Sequence, residues 1–146
     1  MPLNRDEDIY ELLASARTIA MVGASDRPDR PSHGVMRFLQ DRGYRVIPVN
    51  AQITGERIHG EFVWRELAQI GEPIDIVDIF RTSDEAGAIV DEAIAIGAKA
   101  VWMQLGVIDQ AAAARAEAAG LEVVMDHCPK IEFARLGLEP VGEPTV

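Results

Sequence analysis

The sequence predicts an α/β protein built on a doubly wound, parallel, five-stranded sheet with helices on both faces. Three observations carry that expectation. Short β-branched runs alternate with amphipathic stretches along the chain, the spacing of strand–helix–strand units. The runs are apolar throughout rather than at every second residue, as strands buried on both faces are. One local grammar also recurs three times: a helical stretch, a glycine, two residues and a strand-like run. It stands at Gly43 before Val46-Ile47-Pro48-Val49, at Gly97 before Ala100-Val101-Trp102-Met103, and at Gly120 before Val123-Val124-Met125. A glycine just past a helix takes the left-handed conformation that closes it at no steric cost.

Residues 6–16 form an amphipathic helix leading into a first strand at 18–22. Ser32 suits the N-cap of a helix carrying Val35, Met36 and Leu39 on one face. The second strand spans 45–49, a short helix lies around 63–70, and the third strand spans 74–80. Ser83 caps a helix that is acidic in its first turn (Asp84, Glu85) and apolar at Ile89, Val90 and Ile94. A fourth strand at 100–104 is followed by an alanine-rich helix that begins at Asp109 and ends at Gly120, and a fifth strand spans 122–125. With right-handed crossovers the expected strand order is 3-2-1-4-5. The chain reads as one domain over 1–146, with its core at about 9–136 and a surface tail at 137–146. The whole stretch from Pro129 is expected to lie across the surface.

Composition narrows the function. Apolar residues make up 48% and charged residues 26% of 146 residues, the balance of a globular protein. No apolar run approaches the ~20 residues that cross a bilayer, and the acidic start lacks the pattern of a secretion signal. A cytoplasmic protein without a membrane partner is expected. Acidic residues outnumber basic ones 24 to 14, a formal net charge of -10, which argues against nucleic acid as a partner. An anionic ligand would need a locally positive site. The single cysteine, Cys128, forbids an intramolecular disulfide and argues against zinc.

In open α/β sheets, ligands bind beyond the carboxyl ends of the strands. Gly23, Ala24 and Ser25 reach that edge after the first strand, Asn50 after the second, and Arg81 after the third. Gln104 and Gly106 reach it after the fourth strand, and Cys128 after the fifth. The loop from Gly23 to Ser32 can offer hydroxyls, backbone N–H groups and a helix N-terminus to a phosphate, with Arg27 and Arg30 adding local charge. It is not the dinucleotide fingerprint, because Ser25 and Pro28 replace two glycines. Asn50 stands where an acidic residue would hold the ribose of NAD, which demotes that cofactor. Arg81 either grips a phosphate or pairs with Asp78 or Glu85. Trp64 and Trp102 read as packing residues. His33, His59 and His127 have no metal-ligand spacing, and no catalytic set stands out.

Several motifs then fall in a recognisable order: Val22-Gly23-Ala24-Ser25, Arg30-Pro31-Ser32, Gly43 to Asn50, Val77-Asp78-Ile79-Phe80-Arg81, Gln104-Leu105-Gly106 and Asp126 to Glu132. Together they resemble the small stand-alone CoA-binding proteins. They are also similar to the CoA-binding domain of succinyl-CoA synthetase α subunits and ADP-forming acetyl-CoA synthetases. The resemblance runs from about Ile9 to Leu136. It implies a Rossmann-like fold that holds CoA or an acyl-CoA, with Gly23, Ala24, Ser25, Arg30, Ser32, Asn50, Phe80, Arg81, Gln104, Gly106 and Cys128 at the ligand. Two positions depart from the family pattern: Ala51 replaces the usual proline and His127 the usual arginine. The ligase activity does not carry over, since the synthetases' phosphorylated histidine lies in another domain. A binding protein without catalysis is expected, as a homodimer or with an ATP-grasp partner. The alternative is an NAD(P)- or CoA-thioester-dependent enzyme component completed by a partner chain. Cys128 is either a small buried apolar residue or a thiol able to form a mixed disulfide with CoA.

Overall fold

Residues 1–53 and 56–142 are described by the computed structural model. Helix α1 (Asp6–Ser15) leads into β1 (Thr18–Val22), α2 (Pro31–Asp41) and β2 (Arg45–Val49). A two-stranded hairpin follows, β3 (Arg57–Ile58) with β4 (Glu61–Phe62), and then a 3-10 turn at Leu67–Gln69. The chain continues through β5 (Ile76–Ile79), α3 (Ser83–Ala95), β6 (Ala100–Met103), α4 (Gln110–Ala118), β7 (Glu122–Val124) and α5 (Pro129–Arg135). Five strands pair in parallel in one sheet. Its two faces carry separate cores. Ile19, Met21, Ile76 and Trp102 pack with α1, α2 and α5, while Ala20, Val77, Val101 and Val123 pack with α3 and α4. No helix among the described residues is long and apolar enough to cross a membrane.

The class is the expected one, a Rossmann-like α/β sheet with helices on both faces, but the strand order is corrected. The sheet runs β2-β1-β5-β6-β7, which is 2-1-3-4-5 in strand sequence rather than 3-2-1-4-5. The third sheet strand pairs with the first, Ile19 with Ile76 and Val22 with Ile79. The outer edge of β2 is taken instead by Trp64, which forms a parallel bridge with Val49. Trp64 donates its N–H to the Pro48 carbonyl at 3.0 Å, and Asn50 donates to the Trp64 carbonyl at 2.8 Å. Pro48 has no N–H to give a second ladder, so β2 belongs at an edge. At the opposite edge, Leu3 donates its N–H to the Val123 carbonyl at 2.7 Å.

Several local expectations are corrected too. The short helix around 63–70 is only the 3-10 turn, because Val63 and Trp64 run extended beside β2, and the hairpin before it was not foreseen. Ser32 and Ser83 lie inside their helices, whose N-cap residues are Arg30 and Thr82, and neither of those caps through its side chain. Asp109 caps α4 as expected, accepting from the Ala112 N–H at 3.0 Å. The stretch from Pro129 is no surface strap at first: α5 buries Phe133 and Glu132 against the sheet's helices. Of the predicted tail, residues 143–146 lie outside the described residues. Val141 is tied in by its N–H to the Arg42 carbonyl, and its own carbonyl stands where a Cβ on Gly43 would be.

Candidate functional site

The corrected order places the reversal of strand order between β1 and β5, the crevice where open α/β sheets bind ligands. Gly23 leaves β1 at this point with φ +92°, and a Cβ there would stand 2.4 Å from the Phe80 carbonyl oxygen. Only glycine fits both the conformation and the contact. Ala24 is buried and its carbonyl accepts from the Asn50 side-chain amide at 2.8 Å, which ties the β1 loop to the β2 loop. Asn50 turns its own loop by accepting from the Gln52 N–H at 2.8 Å.

The loop into α2 is organised from within. Ser25 donates its N–H to the Ser32 hydroxyl at 3.1 Å, and the Ser25 hydroxyl accepts from the Arg27 N–H at 3.1 Å. Ser32 thus fastens the loop rather than capping the helix. Backbone N–H groups of Gly23, Ser25, Arg27 and Arg30 are all engaged inside the protein. The guanidinium groups of Arg27 and Arg30 add positive charge to this loop.

A cleft of about 490 Å³ brings together Gly23, Ser25, Arg30, Ser32, Asn50, Phe80 and Arg81, seven of the expected positions. Arg27 lines it as well. Pro31 borders this cleft and two others, a contribution that sequence reasoning missed although it stands inside the Arg30-Pro31-Ser32 motif. Gln104 and Gly106 line an adjoining cleft with Phe80 and Arg81. Cys128 lies in a third, with Arg30 and Gln104. β7 stands three strand spacings from β1, ~14 Å, rather than the two that the expected order implies.

Arg81 shows the ion-pair alternative in this state. Its guanidinium donates to Glu85 at 2.9 and 2.5 Å, and Thr82 donates its hydroxyl to the same carboxyl group at 2.9 Å. These two contacts hold the Glu85 carboxyl below its ordinary pKa, Arg81 contributing most. A surface pair of this kind is held weakly, so Arg81 can turn to a phosphate at small cost. A further cleft of about 400 Å³ opens on the far side of Gly23, Asn50 and Arg81, walled by Glu66, Glu85 and Glu92. Burial, with Glu66 nearby, pushes the Glu92 carboxyl above its ordinary pKa. That cleft sets Arg65 and Arg81 against three glutamates, whereas the cleft over the β1 loop sets Arg27, Arg30 and Arg81 against Asp26 alone and is the more positive of the two.

The Gly106 turn is held from two sides. Its N–H is donated to Asp126 at 2.7 Å, while Ser83 donates its hydroxyl to the Gly106 carbonyl at 3.2 Å and accepts from the Ile108 N–H at 2.9 Å. Asp126, with φ +62°, is a positioning residue that only the resemblance motif signalled. Trp102 is fully buried and donates its indole N–H to the His127 carbonyl at 2.9 Å. Gln104 is nine-tenths buried, and its side-chain oxygen finds no partner among the described residues. Among the described residues no group of three or more His, Cys, Asp or Glu is placed to hold a metal ion.

This architecture defines an open parallel sheet with an arginine-lined, nucleotide-sized cleft at its crossover. The family described as the CoA binding domain matches residues 17–134, and the chain belongs to it. The Bacillus subtilis (strain 168) protein YneT, itself uncharacterized, is 39% identical over 127 residues, covering 87% of this chain and 93% of YneT. A hypothetical protein from Pyrococcus horikoshii OT3 superposes with a TM-score of 0.88 at 36% identity, over 94% of this chain and 97% of that one. The acetyl-coenzyme A synthetase 1 of Ca. Korarchaeum cryptofilum shares the fold, with a TM-score of 0.68 and 22% identity. The likeness covers 80% of this chain and 27% of the synthetase.

Proposed function

We propose that this protein holds CoA or an acyl-CoA at the carboxyl edge of its sheet, without a reaction of its own. The phosphate-bearing half of the ligand lies in the cleft over Gly23, Ser25, Ser32 and Asn50, gripped by Arg30 and Arg81. The pantetheine arm runs past Phe80 and Pro31 toward Gln104, Gly106 and Cys128. One observation carries the reading: in a chain of net charge -10, three arginines converge on the cleft at the sheet crossover. Membership of the CoA binding domain family supports the same ligand.

Thermal unfolding with CoA and with NADH tests it. Ligand at 100 times its dissociation constant adds ~2.7 kcal/mol, which for a chain of this size raises the melting temperature by roughly 5–10 °C. CoA is expected to give that rise and NADH a smaller one. A shift with NADH and none with CoA would make the reading wrong.

A further inference from the structure

Resting on the CoA reading, we propose that the cleft between α2 and α5 receives the apolar acyl group of a CoA thioester, and that Gly34 sets the chain length it accepts. This cleft, about 490 Å³, shares Arg30 and Pro31 with the arginine-lined cleft, so a ligand anchored in one continues into the other. That volume falls within the range of small-molecule sites.

Its lining suits a hydrocarbon chain that follows an amide. Leu105 is 55% exposed and Ile131 49%, large apolar side chains facing the same opening with Val35 and Cys128. Gln104 is part of the lining, and its buried side-chain oxygen has no hydrogen-bond partner among the described residues. Turned toward the cleft, that oxygen would accept from an amide N–H of a pantetheine arm. Gly34 is the second sign. It sits inside α2, where glycine weakens a helix relative to alanine. Among the described residues nothing lies within 4 Å of where its Cβ would be, so no close packing there demands it. Its small size leaves the cleft open.

Cys128 enters this picture as part of the wall, 5% exposed. Lys130 holds its ammonium 5.6 Å from the Phe38 ring centre, and His127 bonds through Nδ1 to the Met125 carbonyl at 2.7 Å.

The test is calorimetric titration of the full chain with CoA, acetyl-CoA, butyryl-CoA and hexanoyl-CoA. Each methylene buried should tighten binding roughly fourfold until the cleft is full. Gly34→Leu should flatten that gradient while leaving the affinity for CoA itself within about twofold. Ile131→Ser, at an exposed position, should reduce the gradient without filling the helix groove, and it decides the matter should Gly34→Leu melt early. If CoA binds and the wild-type series is flat, or both variants keep the wild-type gradient, the acyl site is refuted and the CoA reading stands. If CoA itself does not bind, both fall.

Discussion

Asp78 occupies the middle of the central strand β5, fully buried between Met21 and Trp102, with neither carboxyl oxygen hydrogen-bonded among the described residues. Burial alone pushes its pKa well above the ordinary carboxylate value. The native chain thus keeps a proton that the unfolded chain gives up near pH ~3.9. Stability from this group is fully present below that value and is lost as pH rises toward the folded pKa, by up to about 1.4 kcal/mol per unit. Asp78→Asn, neutral at every pH, should remove the slope. Urea unfolding at several pH values is expected to show the variant gaining on wild type as pH rises. Arg30, exposed, and Arg81, partly buried in a surface ion pair, lie at the other extreme and are inexpensive to redirect. Each charge-assisted contact to phosphate is worth about 1.5–3 kcal/mol, so Arg30→Ala and Arg81→Ala should each weaken CoA binding roughly tenfold or more. Folding should be intact in both, as judged by melting without ligand. Unchanged affinity in both would leave the Arg81–Glu85 pair as structure only.

At the scale of elements, the helix caps and strands differ in how far the sequence disclosed them. Asp109 was readable because an aspartate before an alanine run has one good use, and Asp109→Ala should cost about 1 kcal/mol in chemical denaturation. Ser32 and Ser83 were misread as caps for an equally physical reason. The Ser32 hydroxyl binds back to Ser25 across its own loop, and the Ser83 hydroxyl binds the Gly106 turn 23 residues on; neither partner shows in the spacing of a helix cap. All five sheet strands were legible from apolar continuity, and so was the sheet edge on which the expected site residues lie. Their order was not read correctly, although Pro48 carried the information: a proline in mid-strand belongs at an edge, and an interior second strand contradicts it. The hairpin at residues 57–62 gave little pattern, since strands of two residues are too short to show alternation. Helix α5 was masked by its flanking prolines, although Pro129 sits at the first turn, where proline is tolerated.

For the whole molecule, the order of the sheet fixes the geography of the site. Because β1 and β5 are neighbours, the loops after them meet at Gly23 and Phe80, and the arginines gather over that meeting point. The expected order would have put Asn50 between Gly23 and Arg81. The sheet's two margins differ in how they are closed. Beside β2, Trp64 both donates to and accepts from the strand's neighbourhood, and α2 and the hairpin flank it. Beside β7, closure rests on the N–H of Leu3, helped by the ion pair of the Met1 ammonium with Glu117 at 2.6 Å. Removing residues 1–5 would bare the backbone of β7 to solvent, and an uncovered parallel margin can template a strand from another molecule. The truncated chain is therefore expected to self-associate with rising concentration in light scattering, while the full chain under the same conditions does not. On that expectation, the single backbone bond from Leu3 would be what keeps the β7 margin of one copy from being continued by the next.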